Sequence, residues 1–542
     1  MSESSATPGA AATPPRPAFV PKPPLLAAAY MLASTFIALS QSLGQGFLSA
    51  NLTTLGGELG ATQTETMWLM VVFMAPRAVL PLMLIKIRMQ FGLRRFAEVS
   101  IIVYVAVALL SLLATDLRSA LVVELLSGIA AAPLSTLAFL YMLEPLPPEK
   151  KLTIGLPLAL TMISLGTPLA RAINPLILTD GSWTNILMLK LGMSMICLVL
   201  VYRLPLVAAE TMKVIKGMDL VSFGLIAASF GGFVACFTTG ATYWWVEAPW
   251  LGQAIAASIA ALVLALVIEL HRRTPLLDVR WLTSPAMLHL TAALLIFRII
   301  LSEQSSGAPG LFQTLGFAQE QVAPLFWAIA AATLGGGIAC ALVLRPDRVP
   351  FIHVGALLLI AAGAGMDAHS NSGLAPRDMI LSQSLIGFAS TLFLPSAMAT
   401  GLLTALSKGP QYLLSFIIVF LSSQILGGTI GAGLFRSIVT ARTAAHAEWI
   451  AEELTTGDPL VSARISSLAQ QLSAQLTDAA QLKAQAAAQL AATVQREATV
   501  AAYNDVFAAI SFLALAALAV LTGHILLNFL RARMAPPVPA AH

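Results

Sequence analysis

The sequence predicts an all-α protein with fourteen membrane-spanning helices, grouped six, two and six, and three observations carry that expectation. Fourteen apolar stretches of roughly spanning length follow one another, WLMVVFMAPRAVLPLMLI from Trp68 to Ile85 being typical. Only long apolar helices cross a bilayer with every backbone group satisfied internally. Of the 542 residues 58% are hydrophobic and 10% charged, with mean hydropathy +0.84, far too little charge for a water-facing surface of this size. Lys and Arg, finally, crowd into alternate loops.

Residues 1–22, rich in Ala, Pro, Ser and Thr, read as a disordered tail. They lack the basic segment running directly into an apolar core that a cleaved signal needs, and LLAAAYMLASTFIALSQSLG is too long for one. That stretch opens the first group of six, 24–204, with spans at 25–47, 66–86, 99–116, 119–143, 153–178 and 184–204. Spans at 220–243 and 249–270 form an intervening pair, 219–270. The last group, 285–530, holds 285–305, 322–344, 351–367, 379–402, 411–437 and 501–530, and 531–542 is a second tail. With the N-terminus inside, nineteen basic residues fall in the tails and inner loops, while Arg118 and Arg377 alone occupy the short outer ones. The positive-inside rule therefore predicts a membrane protein with both termini cytoplasmic. The net charge of +4 gives no reason to expect nucleic acid.

One outer segment, 438–500, is long. It turns at Gly457-Asp458-Pro459, and Ile465, Leu468, Leu472 and Leu476 recur at helical spacing among Gln, Ala and Ser. It reads as a helical hairpin, either a lid on the protein's own rim or a docking surface. The two six-span groups echo one another: Glu124-Leu-Leu-Ser-Gly128 with Pro133 beyond, against Gln383-Ser-Leu-Ile-Gly387 with Pro395 beyond. Such duplication is how many secondary transporters build a site that opens to alternate sides. Gly335, Gly336 and Gly337, and Gly427, Gly428, Gly431 and Gly433, permit close helix approach.

Six ionisable residues lie inside spans: Arg77, Glu124, Arg171, Lys190, Arg298 and Glu303. A mid-bilayer charge costs roughly 2.5–3.5 kcal/mol, so these groups should face a cavity or each other. Glu124 is the leading proton carrier, with Arg77 and Arg171 as possible partners. Glu303 is either a second carrier or a solvated group near the outer surface. Arg298 and Glu303, five apart, do not share a helical face, and His289 belongs to the interface. Gln41, Gln45 and Gln383 complete the candidate lining of a central cavity. Cys197, Cys236 and Cys340 are small packing residues, and no phosphate loop, metal spacing or nucleophile triad occurs, so neither a cofactor nor an enzymatic activity is expected.

In order along the chain, Gly57-Glu-Leu-Gly60, Trp68, Gly128 with Pro133, Pro147-Pro148-Glu-Lys150, Ser164-Leu-Gly-Thr-Pro168 with Trp183, Asp219, Pro275-Leu-Leu-Asp278, Leu426-Gly-Gly-Thr-Ile-Gly431 and Ala502-Tyr-Asn-Asp-Val-Phe507 together resemble the 14-spanner drug:proton antiporter family of the major facilitator superfamily, the EmrB-like exporters. The chain departs from that pattern: Met89 stands where the first inner loop has Asp, Glu124 where span 4 has Arg, Gln41 and Gln45 where span 1 has an acid, and Gln424 where an Arg precedes the span-13 glycines. The family's coupling residues therefore do not carry over. The resemblance implies a major facilitator fold and proton-driven export of hydrophobic or amphipathic small molecules. It further implies a periplasmic adaptor and an outer-membrane channel as partners in a tripartite efflux pump. An uncoupled facilitator or uptake carrier, and a transporter-like sensor or assembly component that moves nothing, are the alternatives.

Overall fold

The computed structural model describes residues 21–178, 181–207, 211–454, 458–472 and 478–534. Most of the expected 1–22 tail, the end of the 531–542 tail and the turn residue Gly457 lie outside the described residues. All regular structure among the described residues is helical.

Helix α1 spans Pro24–Ala50. α2 (Gln63–Val79) and α3 (Pro81–Phe91) form one apolar run bent by 51°. Pro81 explains the bend, because its ring excludes a continuous hydrogen-bond ladder. Gly92, at φ 83°, ends α3 in a conformation that disfavours a side chain, and α4 follows at once as Leu93–Ser111. α5 (Leu117–Leu143) starts at Asp116, whose carboxylate accepts from the backbone N–H groups of Arg118 and Ser119. The Ser119 hydroxyl, helped by these two bonds, holds the exposed Asp116 carboxyl below its usual range. α6 (Leu156–Ile177) and α7 (Trp183–Arg203) complete the first group. α8 (Gly217–Tyr243) and α9 (Pro249–His271) form a hairpin. α10 (Pro285–Ile300) continues through a π-turn at Glu303–Gly307 to Thr314. Then come α11 (Gln319–Val343), α12 (Val349–Asp367), α13 (Ile380–Lys408), α14 (Pro410–Glu453), α15 (Pro459–Leu472) and α16 (Ala479–Met534).

Among the described residues twelve helices are long and apolar enough to cross a membrane, and the bent α2–α3 pair makes a thirteenth. The expected span 99–116 falls on α4, whose first two turns carry Arg94, Arg95 and Glu98. Large apolar side chains point outward around the bundle, among them Val99, Val122, Leu342, Phe351 and Phe512. That surface suits lipid and not water, and the chain is a multi-pass membrane protein.

Two groups of helices meet along two seams. On one, α6 packs against α11 and α13; on the other, α8 stands between α2 and α14. One tight glycine marks the first seam, since a Cβ on Gly337 of α11 would overlap the Thr161 side chain of α6, and Gly336 beside it packs α11 on α13, where a Cβ would meet the Phe388 carbonyl oxygen. α14 and α16 run 44 and 56 residues, about 66 and 84 Å at 1.5 Å per residue, well beyond the ~30 Å hydrocarbon core. Residues 438–453 thus continue α14, residues 479–500 begin α16, and α15 packs on α16.

Candidate functional site

The π-turn gives α10 its distinctive feature. Pro309 has no N–H to offer a carbonyl one turn back, and the ladder is re-registered at Glu303–Gly307, a device frequent at functional positions. Glu303, the first residue of this turn, is fully buried, which removes the reading of a solvated surface residue. Its Oε1 accepts from Gln383 Nε2 of α13 at 3.2 Å. The same nitrogen donates to Asp367 Oδ2, at the end of α12, at 2.6 Å. Gln304 Nε2 donates to the Gln383 backbone carbonyl at 3.1 Å. Two buried carboxyls from α10 and α12 are thus bridged by one neutral amide from α13. Among the described residues neither makes an ion pair within 4 Å, and Glu303 Oε2 has no hydrogen-bond partner.

A second station lies in the first group. Arg77 of α2 is 4% exposed. Its Nη1 donates to Gln45 Oε1 at 2.6 Å and its Nη2 to Gln41 Oε1 at 2.5 Å, both on α1, with the guanidinium over the Phe73 ring. Arg171 of α6 lies over Phe326 of α11. Arg298 of α10 donates from Nε to the Gln424 carbonyl of α14 at 3.1 Å. No bond brings Arg77 or Arg171 to Glu124.

Glu124 of α5 is half-buried and lines two small adjoining cavities. Both also touch Leu48, Trp183 and Leu187; Lys190 lines the first and Glu58 the second. Lys190 donates to Ser127 Oγ at 2.9 Å and shares the Glu124 cavity. These cavities lie among α1, α5 and α7, inside the first group and away from the α6–α11 seam.

Three features escaped the sequence reading. Asp367 sits at the last residue of its apolar run and looks like a loop residue. Lys86 and Asp219, with side chains 6% and 0% exposed, pair at 2.8 Å; Arg272 bonds Asp219 Oδ1 at 2.5 Å and Glu269 Oε1 at 2.6 Å, and Ser222 donates to Glu269. This network fastens α3 to the α8–α9 hairpin. Asn51 and Asn174, both buried, exchange reciprocal amide bonds, and Asn174 also donates to Gln319 of α11. Among the described residues no His, Cys, Asp and Glu cluster could hold a metal. His289 is exposed, beside His524.

No protein-family profile matches the sequence, and no curated protein aligns with it. Solved structures do superpose. The human organic anion transporter MFSD10 (TETRAN) does so with TM-score 0.55 at 12% identity, over 91% of this chain and 100% of that one. An auto-inhibited POT family peptide transporter does so with TM-score 0.53 at 15% identity, over 96% and 99%. The chain has the major facilitator fold. The likeness reaches the superfamily architecture and does not single out the EmrB-like family. A major facilitator frame gives the stations their setting: α1, α2, α6 and α10, which carry the glutamines and arginines, are packed at or next to the seams between the two helix groups.

Proposed function

We propose that this major facilitator protein is a proton-driven secondary transporter that exports hydrophobic or amphipathic small molecules by alternating access. The observation that supports it most is the Glu303–Gln383–Asp367 bridge, two carboxyls buried in an apolar bundle and joined by an uncharged donor. Such a site accepts and releases a proton at little structural cost, since Gln383 bonds to both oxygens in either state. With the proton on, α10, α12 and α13 are held together. With it off, two negative charges face one another in a weakly screening interior, and the helices are driven apart. The α6–α11 seam, where Gly337 abuts Thr161, is where the two groups then shift past each other.

In this reading the fourteen helices, α2 with α3 and α4 each counted as one span, place both termini in the cytoplasm of an inner membrane. The ends of α14 and α16 with α15 form a periplasmic hairpin that docks an adaptor leading to an outer-membrane channel. Glu124 is a second coupling candidate, supported by its place in two joined cavities; Lys190 beside it already supplies a compensating charge, which favours the uncompensated Glu303–Asp367 pair. The test is reconstitution into vesicles with an imposed pH gradient. Solute-dependent proton flux is expected, and gradient-independent equilibration would establish the uncoupled facilitator instead. A transporter-like sensor would show neither.

A further inference from the structure

We infer that the transported solute is an amphipathic anion, held by Arg77 with Gln41 and Gln45 and by Arg298, where α2 and α10 both pack against α14. This rests on the transport reading for the fate of the ligand, and on the following geometry for its charge.

Arg77 is buried beyond nine-tenths, yet among the described residues no carboxylate lies within 4 Å of it. Its hydrogen-bond partners are two neutral amide oxygens, which satisfy N–H groups without cancelling charge. What remains unsatisfied is informative. Arg77 Nε and Gln41 Nε2, both donors, are buried with no partner, while the Gln424 side-chain amide on α14 is unpartnered at both its nitrogen and its oxygen. A buried cation surrounded by spare donors lacks an acceptor that carries negative charge, and a carboxylate, sulfonate or phosphate supplies both. Arg298, half-buried on α10, binds the Gln424 backbone carbonyl of α14, and it too makes no ion pair among the described residues. Ile425 and Leu426, which follow Gln424, belong to the same apolar cluster as Met74 and Ala75 beside Arg77. Leaving such a cation unpaired in lipid-depth surroundings is costly, which makes a purely packing role for the pair a poor explanation. Apolar walls from α2, α8 and α14 take the rest of an amphipathic molecule.

The test compares isosteric probes of opposite charge on the purified full chain in detergent, with no gradient: naphthalene-2-sulfonate, 2-naphthyltrimethylammonium and neutral 2-methylnaphthalene, read by equilibrium dialysis. The sulfonate should bind at least tenfold more tightly than either of the others. That preference should fall about tenfold or more in Arg77→Gln and in Arg298→Gln, the loss of one charge-assisted contact. Arg77→Lys, which keeps the charge and loses the fork, should fall between. Equal binding of the three probes, preference for the cation, no sulfonate binding at millimolar concentration, or a preference unchanged in both glutamine variants would each overturn the inference. The comparison on the unaltered protein stands even if a variant fails to fold. A sulfonate bound here but never moved across a vesicle membrane would sink transport and leave the site. Gradient-driven movement of neutral or cationic probes alone would sink the site and leave transport.

Discussion

Replacing Glu303 by glutamine keeps the side chain's shape and an acceptor for the Gln383 amide while removing the carboxyl. In the native site Gln383 Nε2 lies 3.2 Å from Glu303 Oε1 and 2.6 Å from Asp367 Oδ2, so one nitrogen with two N–H groups serves both acids. The amide adds no charge, and on the proposed reading the pair carries one exchangeable proton per cycle. That stoichiometry fixes the magnitude. One pH unit is worth about 1.36 kcal/mol per proton, or tenfold in solute ratio, so a two-unit gradient sustains at most about hundredfold accumulation. The assay is accumulation of a solute found by susceptibility screening of cells lacking the gene, in vesicles clamped at zero membrane potential across a series of pH gradients. The logarithm of accumulation should rise with slope near one in the native protein and near zero in Glu303→Gln and in Asp367→Asn. Exchange of labelled for unlabelled solute at equal pH should continue in both variants, because it needs the cavity and not the proton. A slope near one in Glu303→Gln would refute the reasoning outright. Loss of the slope in Glu124→Gln, with the Glu303 variant unaffected, would move the coupling site to the α1–α5–α7 cavity.

Three further outcomes follow from the packing. Asp219→Asn strands Lys86, whose side chain is only 6% exposed, and should lower stability to denaturant in detergent by about 3–5 kcal/mol, whereas Lys86→Met with Asp219→Leu should cost markedly less; equal costs would deny the pair its role in fastening α3 to the α8–α9 hairpin. Gly337→Ala puts a methyl into the Thr161 side chain and should cost about 1–3 kcal/mol, with much of the loss recovered on adding Thr161→Ala, both read by thermal unfolding. Removing residues 438–500 should abolish export from cells while the purified bundle keeps its helix content and stability; preserved export would reject the docking role of the hairpin.

Much of the fold was legible because the bilayer imposes a crude rule. A helix that spans lipid has to be long and apolar, and a charge within it stands out, which is how Arg77, Glu124, Arg171, Lys190, Arg298 and Glu303 were found. The rule is blind where a span bends or overruns. The stretch 66–86 reads as one helix, and Pro81 breaks it into α2 and α3. The stretches 411–437 and 501–530 are the lipid-length portions of helices that run Pro410–Glu453 and Ala479–Met534, because Ala-rich sequence past Phe435 contains no breaker to end the ladder.

Partners were a different matter, because hydropathy ranks residues one at a time and a site is a relation among several. Glu303 finds Gln383 at 80 residues' distance and Arg298 finds Gln424 at 126, separations no local pattern encodes. Asp367, Asp219 and Glu269 sit at the margins of apolar runs, where a charge is ordinarily solvated, yet each turns its carboxyl back into the bundle. The margin of a span is thus where sequence and structure disagree most, and the disagreement has one physical origin. A carboxyl at a helix end reaches the interior with a short side chain and leaves its backbone near the interface, so the run around it stays apolar and the acid reads as loop. The fully buried Glu303 had no such margin to use. It opens the π-turn Glu303–Gly307, six residues before Pro309, whose missing N–H interrupts the regular ladder, and that proline is the local feature of the sequence that sets this turn apart from the rest of the helix.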